Sequence, residues 1–325
     1  MTVPKKKTTK LQLVPFMREV IIGTRGSSLA LWQAEFIRQT LKERFEIKLT
    51  IKIISTQGDI DQSTTFTQME GTGFFTKALE AALIREEIDI AVHSLKDLMT
   101  TMPDQLSVPV VGFREDRREL LLIDPRHYVE GLLPVKDGTV IGTSSARRKS
   151  QLKYLNKNLN IRDIRGNLPT RLNKLRNGEY GAILIAAAGI NRLAIDLSDF
   201  KSVLLDPQFF LPAPGQGVLA VQSRRDDGEL NRLLKQIDDH LVRTEVEMER
   251  GLLKKFNRGC SLPLGVFTEI EESRLCHLKA VLDISENSRP QLRRADISGT
   301  DPEQIVNDAF NQLTKEKVTI PCDWA

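Results

Sequence analysis

Apolar and polar positions alternate in two regular patterns along the first third of the chain. Runs of β-branched and aliphatic residues predict strands at 19–24, 49–54 and 88–92. Between these runs, apolar residues at helical spacing predict helices at 29–45 and 74–86. Strands that alternate with helices are typical of a parallel sheet with helices on its faces. The sequence therefore predicts an α/β lobe in this region.

The same alternation restarts further along the chain. Three strands and two helices are predicted there, at 140–143, 146–155, 160–164, 170–176 and 182–186. The stretches 20–28 and 140–145 are also alike, because each joins a strand ending in Gly-Thr to a pair of serines. The two stretches share few identical residues, but their strands and helices are predicted in the same order. We therefore predict two similar α/β lobes with a cleft between them.

A third region follows the second lobe. Its predicted elements are a helix, two strands and a second helix, at 241–256, 275–283, 291–297 and 302–313. These form a small α+β domain. The Pro/Gly-rich stretch 211–217 is predicted to be a hinge crossing between the lobes. The predicted division is a basic extension at 1–17, lobe 1 at 18–114 with 216–238, lobe 2 at 115–215, and a C-terminal domain at 239–325.

Composition narrows the class of protein. The 325 residues carry a net charge of +4 and are 40% hydrophobic, which is ordinary for a globular protein. No run approaches the ~20 apolar residues of a membrane span. The aromatic fraction of 6% is low for a base-stacking surface, so we expect neither a membrane nor a nucleic-acid partner.

Cysteine and histidine usage bears on compartment and metals. Three cysteines without a CxxC pair, and four scattered histidines, give neither a disulfide framework nor a structural zinc site. We therefore expect no metal and a reducing, cytoplasmic location. The first 18 residues hold five basic residues and no acid, which leaves an organellar transit peptide as a minor alternative to a frayed tail.

Two strand-to-helix turns combine hydroxyl groups with arginine. Arg25 stands beside Ser27 and Ser28, and Ser144-Ser145 stands beside Arg147-Arg148. A helix N-terminus offers unpaired N–H groups, and guanidinium groups bind carboxylate or phosphate in a forked geometry. The turns are thus candidate anion sites. Simple helix capping with solvated arginines is the alternative.

Arginine recurs near the carboxyl ends of the predicted strands. Arg165, Arg171 and Arg192 join the three arginines of the two turns. In open α/β sheets this edge is where ligands bind. Six guanidinium groups at one edge repel each other unless an anion neutralises them, so the predicted ligand is small and multiply anionic. Unrelated surface arginines are the alternative.

Two further residues are candidates for chemistry. Asp97 follows a predicted strand, after Ser94 and Lys96, and a carboxylate there suits a ligand region that becomes positive during reaction. An Asp–Lys surface pair is the alternative. Cys260 lies on a Gly/Pro-bounded loop with Arg258 nearby, which favours a reactive thiolate. A packed loop cysteine is the alternative there.

The ordered set of motifs resembles the porphobilinogen deaminase family, also called hydroxymethylbilane synthases, from about residue 19 to the C-terminus. The segments that carry the resemblance are IGTRGSSLALWQAEFI (22–37), IDIAVHSLKDL (88–98), IGTSSARRKSQL (141–152), IRGNLPTRLNKL (164–175), AAAGINRL (186–193), PGQG (214–217) and ERGLLKKFNRGCSLPLG (249–265).

The resemblance implies two periplasmic-binding-protein-like lobes, a third domain, and a dipyrromethane cofactor joined to Cys260 through a thioether. It implies that four porphobilinogen molecules are added head to tail, with loss of ammonia at each step, before water releases linear hydroxymethylbilane. The product then passes to a downstream enzyme of tetrapyrrole (haem) biosynthesis. A monomer is expected.

The resemblance also assigns roles to residues. Asp97 matches the catalytic acid, which holds pyrrole N–H groups, assists loss of ammonia and stabilises the azafulvene cation. The residues matching the cofactor site are Cys260, Ser94, Lys96, Asp97, Thr143, Ser144, Ser145, Arg147, Arg148, Arg165, Gly166, Arg171 and Arg192. Those matching the substrate site are Arg25, Ser27, Phe75, Arg165, Arg171 and Gln216.

This chain departs from the family pattern in places. Arg258 stands where the family usually has glycine, and Thr72 stands where many members have lysine. Met99 replaces a usual proline and Ala146 a usual leucine. None of these removes a residue of the expected chemistry, so we expect an active enzyme.

Two other classes share parts of the pattern. A two-lobe anionic solute-binding protein without catalysis has the same architecture. It needs a signal peptide or tether, and it gives no reason for Cys260 or for a third domain. A transcriptional regulator with a two-lobe effector domain needs an N-terminal helix-turn-helix, for which about 18 residues leave no room.

Overall fold

Two five-stranded sheets and one three-stranded sheet organise the described part of the chain in the computed structural model. The structure describes residues 16, 18–55, 76–257, 262–285 and 290–315. The two larger sheets belong to the two predicted lobes, and the smaller sheet belongs to the third region. None of the helices in these ranges is long and apolar enough to cross a membrane.

The sheet of lobe 1 is mixed. In spatial order its strands are β2 (Lys48–Ile53), β1 (Glu19–Thr24), β3 (Ile90–Ser94), β10 (Leu219–Arg224) and β4 (Leu106–Gly112). Its helices are α1 (Ser28–Arg44), α2 (Lys77–Ile84) and α6 (Gly228–Leu234). β1 runs parallel to β2 and β3, whereas β10 runs antiparallel to β3 and β4. The expectation of a purely parallel sheet was therefore wrong, because a strand returning from the other lobe inserts in the opposite direction.

The sheet of lobe 2 repeats this arrangement. In spatial order its strands are β7 (Asn160–Arg162), β6 (Val140–Gly142), β8 (Ala182–Ala186), β5 (Glu119–Ile123) and β9 (Lys201–Leu204). Its helices are α3 (Ala146–Leu155), α4 (Leu168–Arg176) and α5 (Ala187–Leu193). Here β5 is the antiparallel fourth strand, as β10 is in lobe 1. The predicted pair of similar α/β lobes is confirmed.

The central strands explain why the lobes fold this way. All five residues of β5, ELLLI, are buried, and so are the first four of β8, AILIA. A continuous apolar run is typical of a strand covered on both faces. Each sheet therefore has a rigid centre, and the loops at the carboxyl ends of its parallel strands are held at one edge.

The third region is the predicted small α+β domain. Strands β11 (Leu264–Ile270), β12 (Cys276–Asp283) and β13 (Leu292–Gly299) form an antiparallel meander. Helices α7 (His240–Lys255) and α8 (Pro302–Thr314) pack on it through an apolar core that includes Leu252 and Leu278. α7 ends just before the loop that carries Cys260, which lies outside the described residues.

Candidate functional site

The two segments that cross between the lobes lie side by side. The backbone N–H of Glu115, between β4 and β5, donates to the carbonyl oxygen of Gly217, before β10, at 2.9 Å. Gly217 has a φ of +86°, and a Cβ there would lie 2.3 Å from the Glu115 oxygen. Only glycine fits this approach. The loop edges of both sheets therefore meet around a shared pair of crossings.

Lobe 1 contributes the turn that carries Asp97. β3 ends at Ser94 and continues into a 3-10 turn, Leu95–Asp97, whose first N–H donates to the Val218 carbonyl at 2.9 Å. The Ser94 hydroxyl accepts a 2.8 Å hydrogen bond from the Gln33 side chain. Asp97 is exposed and Lys96 is partly buried. The turn thus presents a carboxylate and an ammonium next to each other, as the sequence predicted.

Lobe 2 contributes a buried cluster that the sequence did not predict. Glu119, at the start of β5, is fully buried, and its two carboxylate oxygens lie 2.6 Å from Nη2 of Arg147 and 2.6 Å from Nη2 of Arg148. Burial acts to raise the pKa of Glu119, but Arg148 and Arg147 outweigh it and lower that pKa to about 2. The carboxylate is therefore ionised at neutral pH and holds both guanidinium groups.

Backbone carbonyl oxygens also bind these two arginines and help to fix their side chains. Nη1 of Arg147 donates to the Leu211 carbonyl at 2.7 Å, and Nη1 of Arg148 donates to the Leu184 carbonyl at 2.8 Å. The two side chains are only about 6% and 8% exposed. They are fixed by the protein itself, whereas the sequence placed them among freely available cleft cations.

Lys96 and Gln216 connect this cluster to lobe 1 and to a crossing segment. Burial lowers the pKa of the Lys96 ammonium. Asp97 and Glu119 act to raise that pKa, and the lobe 2 guanidinium groups act to lower it further, so Lys96 lies within electrostatic reach of the cluster. The amide of the fully buried Gln216 donates to Glu119 at 3.2 Å. Groups from both lobes and from a crossing segment therefore converge on one carboxylate.

The hydroxyl residues of lobe 2 shape the loops beside the cluster. The Ser144 hydroxyl donates to the Ile164 carbonyl at 2.9 Å, and the Thr143 hydroxyl accepts from the Ser145 backbone N–H at 3.4 Å. Ser145 occupies the N-cap of α3, but its side chain makes no capping bond. In lobe 1 the Ser27 hydroxyl does cap α1, accepting from the Ala30 N–H at 3.3 Å.

The loop before α4 and the first turn of that helix hold three more predicted site residues. Gly166 has a φ of +102°, and a Cβ there would lie 2.6 Å from the Thr170 side chain, so glycine is required. Nε of Arg171 donates to the Gly166 carbonyl at 2.8 Å, which fixes that side chain along the loop. Arg165 is partly buried at the same loop.

Two predicted anion-binding arginines lie elsewhere. Nη2 of Arg192, on α5, donates to the Gly217 carbonyl at 2.6 Å and to the Phe113 carbonyl at 3.1 Å, so Arg192 ties lobe 2 to both crossing segments. Arg25 is partly buried in lobe 1, within electrostatic reach of His93. Burial lowers the pKa of His93 to about 4, and Arg25 contributes to that lowering. The ligand roles of both arginines stay predictions.

Several predicted residues lie outside the described ranges. These are Phe75, Thr72, Arg258, Gly259, Cys260, Cys322 and the N-terminal extension apart from Phe16. Cys276 is described, and its side chain is buried at the start of β12. Burial raises the pKa of the Cys276 thiol, which disfavours the nucleophilic thiolate. Among the described residues, no group of three His, Cys, Asp or Glu side chains is placed to hold a metal ion.

These observations define a two-lobed α/β protein in which a crossing segment joins buried, fixed arginines of lobe 2 to a turn of lobe 1 that presents a carboxylate. The family model "Porphobilinogen deaminase, dipyromethane cofactor binding domain" matches residues 20–232, and "Porphobilinogen deaminase, C-terminal domain" matches residues 243–315. The chain belongs to the porphobilinogen deaminase family, whose members are transferases. The alternatives of a solute-binding protein and a regulator do not account for the second match.

Individual relatives agree with the family models. The porphobilinogen deaminase of Maridesulfovibrio salexigens is 39% identical over 273 residues, which cover 84% of this chain and 87% of that protein. The porphobilinogen deaminase of Chlorobium luteolum is 36% identical over 303 residues, covering 92% and 94%.

Among solved structures, the probable amino-acid ABC transporter extracellular-binding protein ytmK of Bacillus subtilis is 14% identical with a TM-score of 0.42, covering 74% of this chain and 96% of that chain.

Proposed function

We propose that this chain joins four porphobilinogen molecules head to tail into linear hydroxymethylbilane, with release of ammonia, on a dipyrromethane held covalently by Cys260. The observation that carries the proposal is the meeting of two features. The Asp97 turn of lobe 1 and the lobe 2 cluster of Arg147, Arg148 and Glu119 are bound by the same crossing segment. Gln216 donates to Glu119 at 3.2 Å, and two residues later the Val218 carbonyl accepts from the Leu95 N–H at 2.9 Å. This arrangement places an acidic group near cations that can bind the carboxylates of a pyrrole chain.

The residues of the cluster fit a polyanionic cofactor. Two guanidinium groups contact a single carboxylate and the Lys96 ammonium lies within electrostatic reach of it, so the cluster keeps an excess of positive charge. Nε of Arg148 is buried without a hydrogen-bond partner in the described structure, which leaves one guanidinium donor for an additional acceptor. Each pyrrole unit bears an acetate and a propionate, and these are the acceptors that guanidinium groups bind best.

The residues that would hold the dipyrromethane are Cys260, Lys96, Arg147, Arg148 and the hydroxyl residues 143–145. When bound, the dipyrromethane supplies the free pyrrole carbon to which the first substrate is joined. Arg165, Arg171 and Arg25 are proposed to bind the carboxylates of the incoming porphobilinogen. Arg25 lies in lobe 1, whereas Arg165 and Arg171 lie in lobe 2. Cations at separate places suit a ligand that lengthens at each step.

Asp97 is the proposed catalytic residue. Its exposed carboxylate, on a turn fixed by Val218 and by its own 3-10 bond, accepts hydrogen bonds from the substrate's pyrrole N–H groups. As ammonia leaves the aminomethyl carbon of the substrate, positive charge spreads over the pyrrole ring. A fixed carboxylate stabilises that charge more in the transition state than in the ground state, and this lowers the barrier.

Cys260 is proposed as the anchor because a thioether needs an accessible thiolate. Cys276, with its buried side chain and raised pKa, is unsuited to that role.

We further propose that the protein is a cytoplasmic monomer and that its linear product is passed to a downstream tetrapyrrole enzyme.

The test is turnover of porphobilinogen by the purified chain. The proposal expects ammonia to be released in equal number to the porphobilinogen consumed, with hydroxymethylbilane as the product. Binding of porphobilinogen without release of ammonia would overturn it and return the chain to a binding role.

A further inference from the structure

Arg250 lies on α7 of the C-terminal domain, yet its guanidinium group binds lobe 1. Nη1 donates to the carbonyl oxygens of Leu95 at 3.1 Å and Leu98 at 2.8 Å, and Nη2 donates to that of Met99 at 2.7 Å. These three acceptors lie on either side of Asp97 in the chain. One side chain from another domain thus holds the ends of the turn that presents the proposed catalytic carboxylate.

The preceding residue of α7 holds the crossing between the lobes. Glu249 is fully buried, and its carboxylate accepts from the Gly215 backbone N–H at 2.6 Å, from the Thr268 hydroxyl at 2.7 Å and from Arg114 at 2.6 Å. Two successive residues of α7 therefore fix the crossing segment and the Asp97 turn.

α7 also leads to the proposed anchor. The helix ends at Lys255, about 7.5 Å along its axis from Arg250 at 1.5 Å per residue, and Cys260 follows five residues later. The segment that leads to Cys260 thus begins one short piece of helix away from the residue that binds the Asp97 turn. No flexible connection intervenes between Arg250 and the end of α7.

We propose that Arg250 is a positioning residue, which fixes the Asp97 turn to the helix that carries the Cys260 loop and so sets the carboxylate against the growing chain. The inference rests on the proposed function, because it requires Asp97 to act on substrate. A misplacement of a catalytic group by about 1 Å can cost about 10²-fold in rate. Arg250 would therefore act on turnover and only weakly on substrate binding.

The guanidinium group suits this role for a geometric reason. Its planar fork reaches three carbonyl oxygens at once, whereas an ammonium on a shorter, rotating stem is a single point charge. The acceptors are backbone atoms, so the contact does not depend on which side chain stands at position 99, where this chain has Met99 in place of the family's usual proline. Arg250→Lys keeps the charge and removes the fork, which makes it the informative variant.

The experiment compares Arg250→Lys with Arg243→Lys in the full chain carrying its cofactor. Arg243 lies on the same helix and also binds a lobe 1 carbonyl at 3.1 Å, but this carbonyl belongs to Val108 on β4 and not to the Asp97 turn. We expect Arg250→Lys to lower kcat at least tenfold with KM within about a factor of two, and Arg243→Lys to leave kcat within that factor. If the kcat of Arg250→Lys equals that of the wild-type protein, the proposal is overturned.

A double variant separates positioning from general structural support. If Arg250 acts through Asp97, Arg250→Lys lowers single-turnover rates in the wild type but not further in Asp97→Asn. Equal losses in both backgrounds would overturn the proposal. Wild-type turnover in Asp97→Asn alone would refute the role of Asp97 and with it this inference, so the two failures are distinguishable.

Folding is checked with a second variant and a second measurement. Arg250→Gln keeps an N–H donor, and failure of both Arg250 variants to fold would make the residue structural and overturn the proposal. In a folded variant, amide hydrogen exchange should rise in 95–99 and stay unchanged in β4. Unchanged exchange in the turn would contradict the inference.

Discussion

Oε2 of Glu119 and Nη2 of Arg148 lie 2.6 Å apart, and both side chains are almost wholly buried. The same carboxylate also binds Arg147 and Gln216, so residues from a strand, a helix and a crossing segment share one buried charge. Glu119 thus holds both of the proposed cofactor arginines in place.

Loss of this charge should destabilise the fold. Glu119→Gln leaves two buried guanidinium groups without their counter-charge, and we expect the free energy of unfolding to fall by about 3–5 kcal/mol. Urea denaturation measures this. Glu247→Gln is the matched control, because Glu247 lies on the surface of α7, and it should change stability by less than about 0.5 kcal/mol. Equal effects of the two substitutions would contradict the buried cluster.

His93 should make stability depend on pH in a defined window. Its pKa is about 4 when folded, through burial, against about 6.5 unfolded. Between these values the unfolded state binds more protons, so stability is complete above about pH 6.5 and falls as the pH drops towards 4, by up to about 3 kcal/mol. His93→Gln should flatten this part of the profile. His240→Gln, at an exposed position, should leave it unchanged; the reverse result would contradict the burial of His93.

Arg165 should not be replaceable by lysine. We expect Arg165→Lys to lower kcat/KM by about tenfold or more without changing the melting temperature, because a forked guanidinium–carboxylate pair is geometric. Arg162→Lys, three residues earlier and exposed, is the control and should retain wild-type kcat/KM. Activity of Arg165→Lys within a factor of two of wild type would argue against a direct contact with substrate.

Asp97 should matter for turnover more than for folding. We expect Asp97→Asn to fold, to carry the cofactor and to turn over about 10²-fold more slowly, since a positioned acid and electrostatic stabiliser is lost. Thermal unfolding and steady-state kinetics test this together. A collapsed unfolding transition would instead assign Asp97 a structural role.

Local patterns predicted many of the elements in the described structure. The strand at 19–24 and the helix at 146–155 have the bounds expected from apolar spacing, since both bury a face against a nearby element of the same lobe. β4, β5, β9, β10 and β11 were not predicted, nor were helices α5 and α6. β5 and β10 pair with strands far away in sequence, and a short apolar run alone does not specify a partner.

The sequence named candidate site residues but not their contacts. The arginines, Lys96 and Asp97 became candidates because they follow predicted strand ends, and their roles stay predictions. Glu119 was missed because a glutamate at a strand start is normally exposed, and its partners lie 28 and 29 positions away along the chain. Arg192 was grouped with the ligand arginines, although its acceptors are carbonyls of the crossing segments. Such contacts cannot be predicted from residue types, because every residue has a backbone carbonyl.

The intact mass of the purified protein tests the central claim most directly. Wild type should be heavier than its chain by one dipyrromethane, and Cys260→Ala should lose both that mass and all activity, because only a thiolate at this position forms the thioether. Cys276→Ala and Cys322→Ala should keep both. A wild-type mass equal to that of the bare chain, or a Cys260→Ala protein that keeps the adduct, would contradict the account.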